Sequence, residues 1–300
     1  MQAYKVIWVV FLCSFLAWSC QRAEKKTEET NVATEKSEVS SPAIVTFEQW
    51  FKNPIPLISA HRGGPYPGFP ENAIETFQNI VDQIPGVIIE CDVSMTEDSV
   101  LVLMHDKTLD RTSTASCEVN HIKYSALKNE LLIDNNGDTT SFKVPTLDDV
   151  LMWGKGKVLF TLDVKRGVPF EKVIATVERF DAESFAAIIT YRIEDASLVY
   201  SLNSEVIISV SARDDGALGQ IVKSGIPTKN LLGFVGTREP QAGHYEKLEQ
   251  LGIRTILATL GNLDKSAEAK GDDTPYLTYF QNGADIIATD RPLEVARVLN

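Results

Sequence analysis

The chain has 300 residues, enough for one large domain or two small ones, and its 44% hydrophobic content is that of a globular protein with a real core. The formal net charge of −12 argues against a nucleic-acid binder, because phosphate backbones attract basic surfaces. An acidic chain is instead compatible with the use of divalent cations.

The chain opens with MQAYK and continues with the apolar run VIWVVFLCSFLAW, 13 residues long. That run is too short to span a bilayer and has the length of a signal-peptide core. It ends at Ser19-Cys20, a small residue followed by cysteine, which resembles a bacterial lipoprotein signal. The expectation is a signal peptide over residues 1–19, cleavage before Cys20 and a lipid on the Cys20 sulfur. The simpler alternative is a secretory signal with an incidental cysteine. Residues 21–42, QRAEKKTEETNVATEKSEVSSP, mix charges of both signs with Thr and Ser and have too little apolar content to bury a core. Residues 20–42 therefore read as the lipidated cysteine and a disordered tether. The protein is expected to be exported and lipid-anchored to a bacterial membrane, in the periplasm or at the cell surface. Cys13 and Cys20 belong to this segment, and Cys91 and Cys117 alone make no disulfide scaffold.

Over residues 43–300, short β-rich runs alternate with helical patterns. The runs are PLISAH (56–61), VIIECDVSM (87–95), VLFTLDVK (158–165), AAIITY (186–191), EVIISVSA (205–212), LLGFVG (231–236), RTILATL (254–260) and DIIATD (285–290). Stretches with 3.6-residue spacing lie between most of them, such as AIETFQNIVDQI and FEKVIATVERF. Most runs are nearly continuously apolar, as parallel strands covered by helices are. Eight such units predict an α/β fold, a (β/α)8 TIM barrel, for which about 250 residues is the usual size. A doubly wound open sheet is the alternative, but no GxGxxG follows the first run. After VLVLMH (100–105), residues 106–145 show no clear βα unit and read as a small inserted subdomain after the second strand. Within it, DNNGD (134–138) lacks the full ligand spacing of a calcium loop and reads as a polar turn.

Active sites of such barrels lie at the C-terminal ends of the strands, so the polar residues that end each run are the candidates. The first run ends in His61-Arg62. Glu90 and Asp92 share one face of the second run and Cys91 takes the other, because strand side chains alternate. Asp163 and Lys165 share a face in the third main run, and the extension after the second ends in His105-Asp106. The last run ends in Thr289-Asp290, where Asp290 before Arg291-Pro292 reads as a helix cap. Neighbouring acids in an apolar strand are unfavourable unless a cation compensates them. Hard oxygen ligands favour Mg²⁺ or Ca²⁺ over zinc. Such a cation, with Arg62 and Lys165 nearby, makes a site for phosphate, and His61 and His105 supply proton transfer near neutral pH. The chemistry indicated is metal-assisted cleavage of a small phosphate ester. A glycosidase would set two carboxylates across a sugar and leave the histidines unexplained.

HRG, PEN before a helix, IECDV, T-x-D, V-x-x-HD-x-x-L-x-RT, LDVK and GADIIATDRP follow one another in an order that resembles the glycerophosphodiester phosphodiesterase family, over roughly residues 56–298. The resemblance implies a barrel with a small insertion after the second strand and a divalent metal. It implies His61 and His105 as catalytic acid and base, and Glu90 and Asp92 as metal ligands, with Asp163 where the family usually has Glu. It also implies Arg62, Glu71 and Lys165 at the substrate phosphate. One histidine would deprotonate the neighbouring glycerol hydroxyl to give a cyclic phosphate, the other would protonate the leaving alcohol, and water would then open the ring to glycerol 3-phosphate. Gly63 and Gly64 would let backbone pass close to that phosphate, and the loop HRGGPYPGFPEN would form a wall of the pocket. The family's usual tryptophan-containing motif in the seventh strand is replaced by ATLGNLD (258–264), which opens the substrate's identity. Other readings are a phosphodiesterase for lysophospholipid, a glycerol-phosphate polymer or phosphoinositide, and a non-catalytic binding lipoprotein.

Overall fold

The computed structural model describes residues 44–299. The segments expected to be a signal peptide, a lipidated Cys20 and a tether lie outside the described residues. Eight parallel strands close into a barrel among the described residues. They are β1 (Leu57–Ala60), β2 (Ile88–Met95), β6 (Leu159–Val164), β7 (Ala186–Ile189), β8 (Ile208–Ser211), β9 (Leu231–Gly236), β10 (Arg254–Ala258) and β11 (Ile286–Thr289). Three further strands lie between β2 and β6: β3 (Leu101–Leu103), β4 (Leu131–Ile133) and β5 (Thr139–Lys143). The ring closes because β1 pairs with β11 on one side and with β2 on the other. Each barrel strand corresponds to one of the eight runs read from the sequence. Their near-continuous apolar character follows from burial on both faces: every residue of β6 is buried, and all of β2 except Met95.

Helices follow the strands: α2 (Ile74–Gln83), α4 (Leu147–Gly154), α5 (Phe170–Arg179), α6 (Ile193–Leu202), α7 (Asp215–Ser224), α8 (His244–Gln250), α9 (Asn262–Lys270), α10 (Pro275–Gln281) and α11 (Pro292–Leu299). They present an apolar stripe to the barrel; α5 buries Val173, Ile174 and Val177. The start of α4 is fixed by a capping box between Thr146 and Asp149. Before the barrel, α1 (Phe47–Lys52) buries Phe47 and Trp50 in the main core. No helix among the described residues is long and apolar enough to cross a membrane.

The segment between β3 and α4 carries the short helix α3 (Tyr124–Leu127) and the antiparallel pair β4–β5, with its own apolar cluster around Leu109, Val119, Leu127 and Leu132. DNNGD is a polar turn. Asp134 accepts from the Asn136 and Asp138 backbone N–H groups, each at 2.9 Å, and from Gly68 N–H at 2.6 Å. The last bond ties the insertion to the loop that leaves β1.

That loop explains its own glycines differently from the sequence expectation. Gly63 has φ of +83°, and a Cβ there would sit 2.2 Å from Cδ1 of Phe77. Gly64 has φ of +70°, and its Cβ would meet Pro292 Cγ at 2.9 Å. The left-handed backbone and close packing against α2 and α11 account for both glycines.

Candidate active site

Three carboxylates are brought together by strand alternation and register. Glu90 and Asp92 point to the barrel interior from β2, and Asp163 stands opposite Asp92 on β6. Their oxygens lie within 4.8 Å of one another and all three residues are buried. Cys91 faces outward into the core under the helices. Burial first, and then the charge of Asp92, push the Glu90 carboxyl up to about 8. Burial also opposes the charge on Asp92, but Lys165 and the Asn72 amide outweigh it and hold Asp92 below the usual carboxylate range. Lys165 Nζ lies 2.6 Å from Asp92 Oδ1 and 2.7 Å from Asp163 Oδ2. The other Asp163 oxygen accepts from the Tyr191 hydroxyl at 2.9 Å. A buried, all-oxygen donor set of three crowded carboxylates fits a hard divalent cation such as Mg²⁺ or Ca²⁺.

Each sequence-predicted histidine is oriented by an aspartate. His61 Nδ1 meets Asp290 Oδ1 at 2.6 Å, and His105 Nδ1 meets Asp106 Oδ1 at 2.7 Å. A carboxylate accepts the Nδ1 proton, so Nε2 is the nitrogen left for chemistry in both rings. Burial works against a charge on His61, yet the Asp290 bond and the Glu90 and Asp290 charges outweigh it and raise its pKa. Asp290 is in turn set by Asp264, which accepts from its backbone N–H at 2.8 Å and from the hydroxyls of Thr289 and Tyr276. The carboxylate read as a helix cap is therefore the partner of His61.

Arg62, Glu71 and Arg111 link the two halves of the site. Arg62 sits in the left-handed region with φ of 53°, which aims its backbone N–H at Glu90 Oε2, 2.7 Å away. Asn72, with φ of 60°, holds Asp92 by both ends of its amide: Nδ2 donates to Oδ2 at 2.7 Å, and the Asp92 N–H donates to Oδ1 at 3.0 Å. Two such backbone conformations outside glycine mark a place where strain is held by surrounding bonds. Glu71 is buried, with both oxygens accepting from Arg111 at 2.8 and 2.9 Å and from Arg62 at 3.0 and 3.2 Å. It thus holds the two arginines. Arg111 Nε also donates to Asp106 at 2.6 Å, so the chain His105–Asp106–Arg111–Glu71–Arg62 is continuous. Arg62 Nε is buried, makes no hydrogen bond among the described residues and lies 3.8 Å from Asp92 Oδ2.

The sequence expectations gave no role to Tyr191, Arg111 or Asp264 and read Asp290 as a cap; they brought Asn72 to the site with Glu71 but not as the partner of Asp92. Tyr191 ends its run two residues beyond inward-facing Ile189, so strand alternation could have found it.

Residues 61–232, more than half the chain, match the profile of the Glycerophosphoryl diester phosphodiesterase family. The chain belongs to this family. A crystal structure of a glycerophosphoryl diester phosphodiesterase from Parabacteroides distasonis is 32% identical, with a TM-score of 0.76 over 82% of this chain and 86% of that one. A glycerophosphodiester phosphodiesterase from Caldanaerobacter subterraneus is 29% identical over 42% of this chain and spans 54% of that relative's length. A phosphodiesterase from Oleispira antarctica, solved with its product sn-glycerol-3-phosphate, shares the fold at 16% identity, with a TM-score of 0.64 over 82% of this chain and 97% of that one.

Within the family frame, two departures acquire a structural setting. Asp163 is one methylene shorter than the usual Glu, and the Tyr191 hydroxyl is bonded to it. ATLGNLD contributes Ala258 and Leu260 to the lining of the site and supplies Asp264, the residue beneath Asp290. The cavity at the barrel mouth has a volume of about 380 Å³. Its metal side is lined by His61, Glu90 and Asp163, and its far side by Arg213, Phe234 and Ile256. From the loop HRGGPYPGFPEN, only His61 lines this cavity; Arg62, Glu71 and Asn72 support the site from behind.

Proposed function

We propose that this family member hydrolyses glycerophosphodiesters to glycerol 3-phosphate and an alcohol, using a divalent cation and two histidines. The observation that carries the reading is the pair of Asp-oriented imidazoles beside a buried acidic triad: the charge of His61 acts on Glu90, and that of His105 acts on Asp92. Glu90, Asp92 and Asp163 would hold Mg²⁺ or Ca²⁺, which when bound supplies neutralisation of charge on the phosphoryl oxygens. Arg62, bonded to Glu71 and 3.8 Å from Asp92 Oδ2, would add positive charge behind the phosphate, and Lys165 would add a second.

One histidine Nε2 takes the proton of the glycerol hydroxyl next to the ester oxygen, and the hydroxyl oxygen attacks phosphorus. The bond from phosphorus to the other alcohol breaks, and the second histidine gives its proton to the departing oxygen. A five-membered cyclic phosphate remains. The histidines then exchange roles: the deprotonated one activates water, the P–O bond formed in the first step breaks, and the protonated one restores the hydroxyl. The product complex of the Oleispira antarctica phosphodiesterase supports glycerol 3-phosphate as the product.

The lipid anchor on Cys20 and location at a bacterial membrane belong to the same proposal and rest on the N-terminal sequence. Incorporation of labelled fatty acid, lost in Cys20→Ala, is the expected result there.

The function is tested by incubating the purified protein with glycerophosphocholine and Mg²⁺ or Ca²⁺ and assaying glycerol 3-phosphate. Release is expected with one of the two metals and is lost with EDTA. Cleavage of lysophosphatidylcholine alone would overturn the substrate, and activity that survives His61→Ala would overturn the mechanism.

A further inference from the structure

The far wall of the cavity carries a cation that the hydrolytic mechanism does not use. Ser209, Ser211 and Arg213 alternate along the end of β8 and all line the cavity that contains His61 and Asp163. The Arg213 guanidinium lies over the Phe234 ring, 5.2 Å from its centroid. Gly236 lies beside its stem: a Cβ there would touch Arg213 Cγ and Cδ at 3.8 and 3.9 Å. Arg213 is exposed, with its guanidinium resting on the face of the Phe234 ring.

Its charge is unmatched. Among the described residues Arg213, like Arg166 and Arg238, has no ion-pair partner, but of the three it alone lines the cavity; Arg62 and Arg111 hold Glu71, and Arg192, Arg254 and Arg291 hold Asp195, Asp285 and Asp273. In a chain of net charge −12, an arginine without a carboxylate beside a largely apolar wall is a feature to be explained. The single charge of the phosphodiester would be met at the cation site, with the charges of Arg62 and Lys165 behind it. A phosphodiester seated there would lay one of its alcohols along the wall of Phe234, Ile256 and Arg213.

We propose that Arg213 selects phosphodiesters whose second alcohol carries a further oxyanion, a phosphate or a carboxylate, and disfavours cationic alcohols such as choline. The proposal rests on the hydrolytic reading and adds the substrate class. A guanidinium offers a planar fork of donors to an oxyanion and repels a quaternary ammonium, so one residue acts both for and against.

The test compares four substrates: glycerophosphoglycerol, the same compound with a terminal phosphate, glycerophosphoglycerate and glycerophosphocholine. The wild-type protein is expected to show kcat/KM highest for the phosphorylated compound or the glycerate diester and lowest for the choline diester; these two anionic arms separate phosphate from carboxylate. In Arg213→Gln the anionic-over-neutral ratio is expected to fall by about ten- to a hundredfold, mainly through KM. Arg213→Glu is expected to turn the preference toward choline. The same ratio is read without turnover as Kd, by calorimetry on the His105→Ala protein. Equal losses on all four substrates in Arg213→Gln, or a wild type that prefers choline, would overturn the proposal. Absence of turnover with the Kd ratio intact would overturn the hydrolytic reading and support this one.

Discussion

His61 Nδ1 and Asp290 Oδ1 meet at 2.6 Å across 229 positions of sequence. The contact exists because β1 and β11 are neighbours in the closed barrel, with Ala60 in register with Thr289. Asp290→Asn keeps the shape but removes the anion that holds the imidazole's tautomer and raises its pKa. The expected result is a loss in kcat of about 10²- to 10⁴-fold, the range of general acid–base catalysis. The limb of the pH–rate profile that reports protonated His61 is expected to move to lower pH, because the interaction removed is one that raised it. A profile unchanged in position would count against the pairing.

Arg111 joins the insertion to the site by serving Asp106 and Glu71 together. Arg111→Met is expected to destabilise the protein by about 1–3 kcal/mol in urea unfolding, the range for lost charged hydrogen bonds. It is also expected to lower kcat, since Asp106 and Arg62 both lose a support. The pH dependence has a definite sign. Burial raises the Glu71 carboxyl, but the two arginines outweigh it and hold it below 4.5; Arg111 holds Asp106 far below 3.8. Both therefore stabilise the folded state above the ordinary carboxylate range, and that contribution is lost as pH falls through the lowered values. The acid limb of the stability curve is expected to be shallower in Arg111→Met than in the wild type.

The barrel was legible in the sequence because parallel strands buried on both faces leave long apolar runs, and those runs are local. Glu90, Asp92 and Asp163 were legible for the same reason: alternation along one strand fixes their direction. The partners of these residues were not. Asp290 before Arg-Pro satisfies a local rule for capping, and only closure of the ring brings it to His61. Arg111 lies in an irregular insertion with no periodicity to aim it. Gly63 and Gly64 suggested close approach of a ligand, but the neighbour is the Phe77 ring and the Pro292 side chain, which no local pattern reveals.

Metal binding is expected to compete with a proton on Glu90. With that carboxyl pushed up to about 8, a cation entering at pH 6–7 must displace close to one proton. Affinity is expected to rise about tenfold per pH unit and to level off above pH 8. Calorimetry in two buffers of different ionisation enthalpy measures the proton released, and Glu90→Gln is expected to abolish the release. Tyr191→Phe removes the hydroxyl bonded to Asp163 and is expected to weaken metal affinity by about ten- to a hundredfold, the usual effect of losing a ligand's hydrogen-bond partner. An unchanged Kd in Tyr191→Phe would show that Asp163 needs no such support.

Gly63→Ala tests the loop that carries His61 and Arg62. Two penalties add there. An alanine at φ of +83° loses the steric freedom of glycine, at about 1–2 kcal/mol. Its Cβ, 2.2 Å from the Phe77 ring, forces repacking of a buried side chain, at about 1–3 kcal/mol. The expected destabilisation is about 2–5 kcal/mol, with activity falling further than stability because the same backbone directs the Arg62 N–H at Glu90. The two penalties separate in a double-mutant cycle. In a Phe77→Leu background, which shortens the clashing side chain, Gly63→Ala is expected to lose the packing penalty and keep the backbone one. An effect of equal size in both backgrounds would place the whole cost in the left-handed conformation.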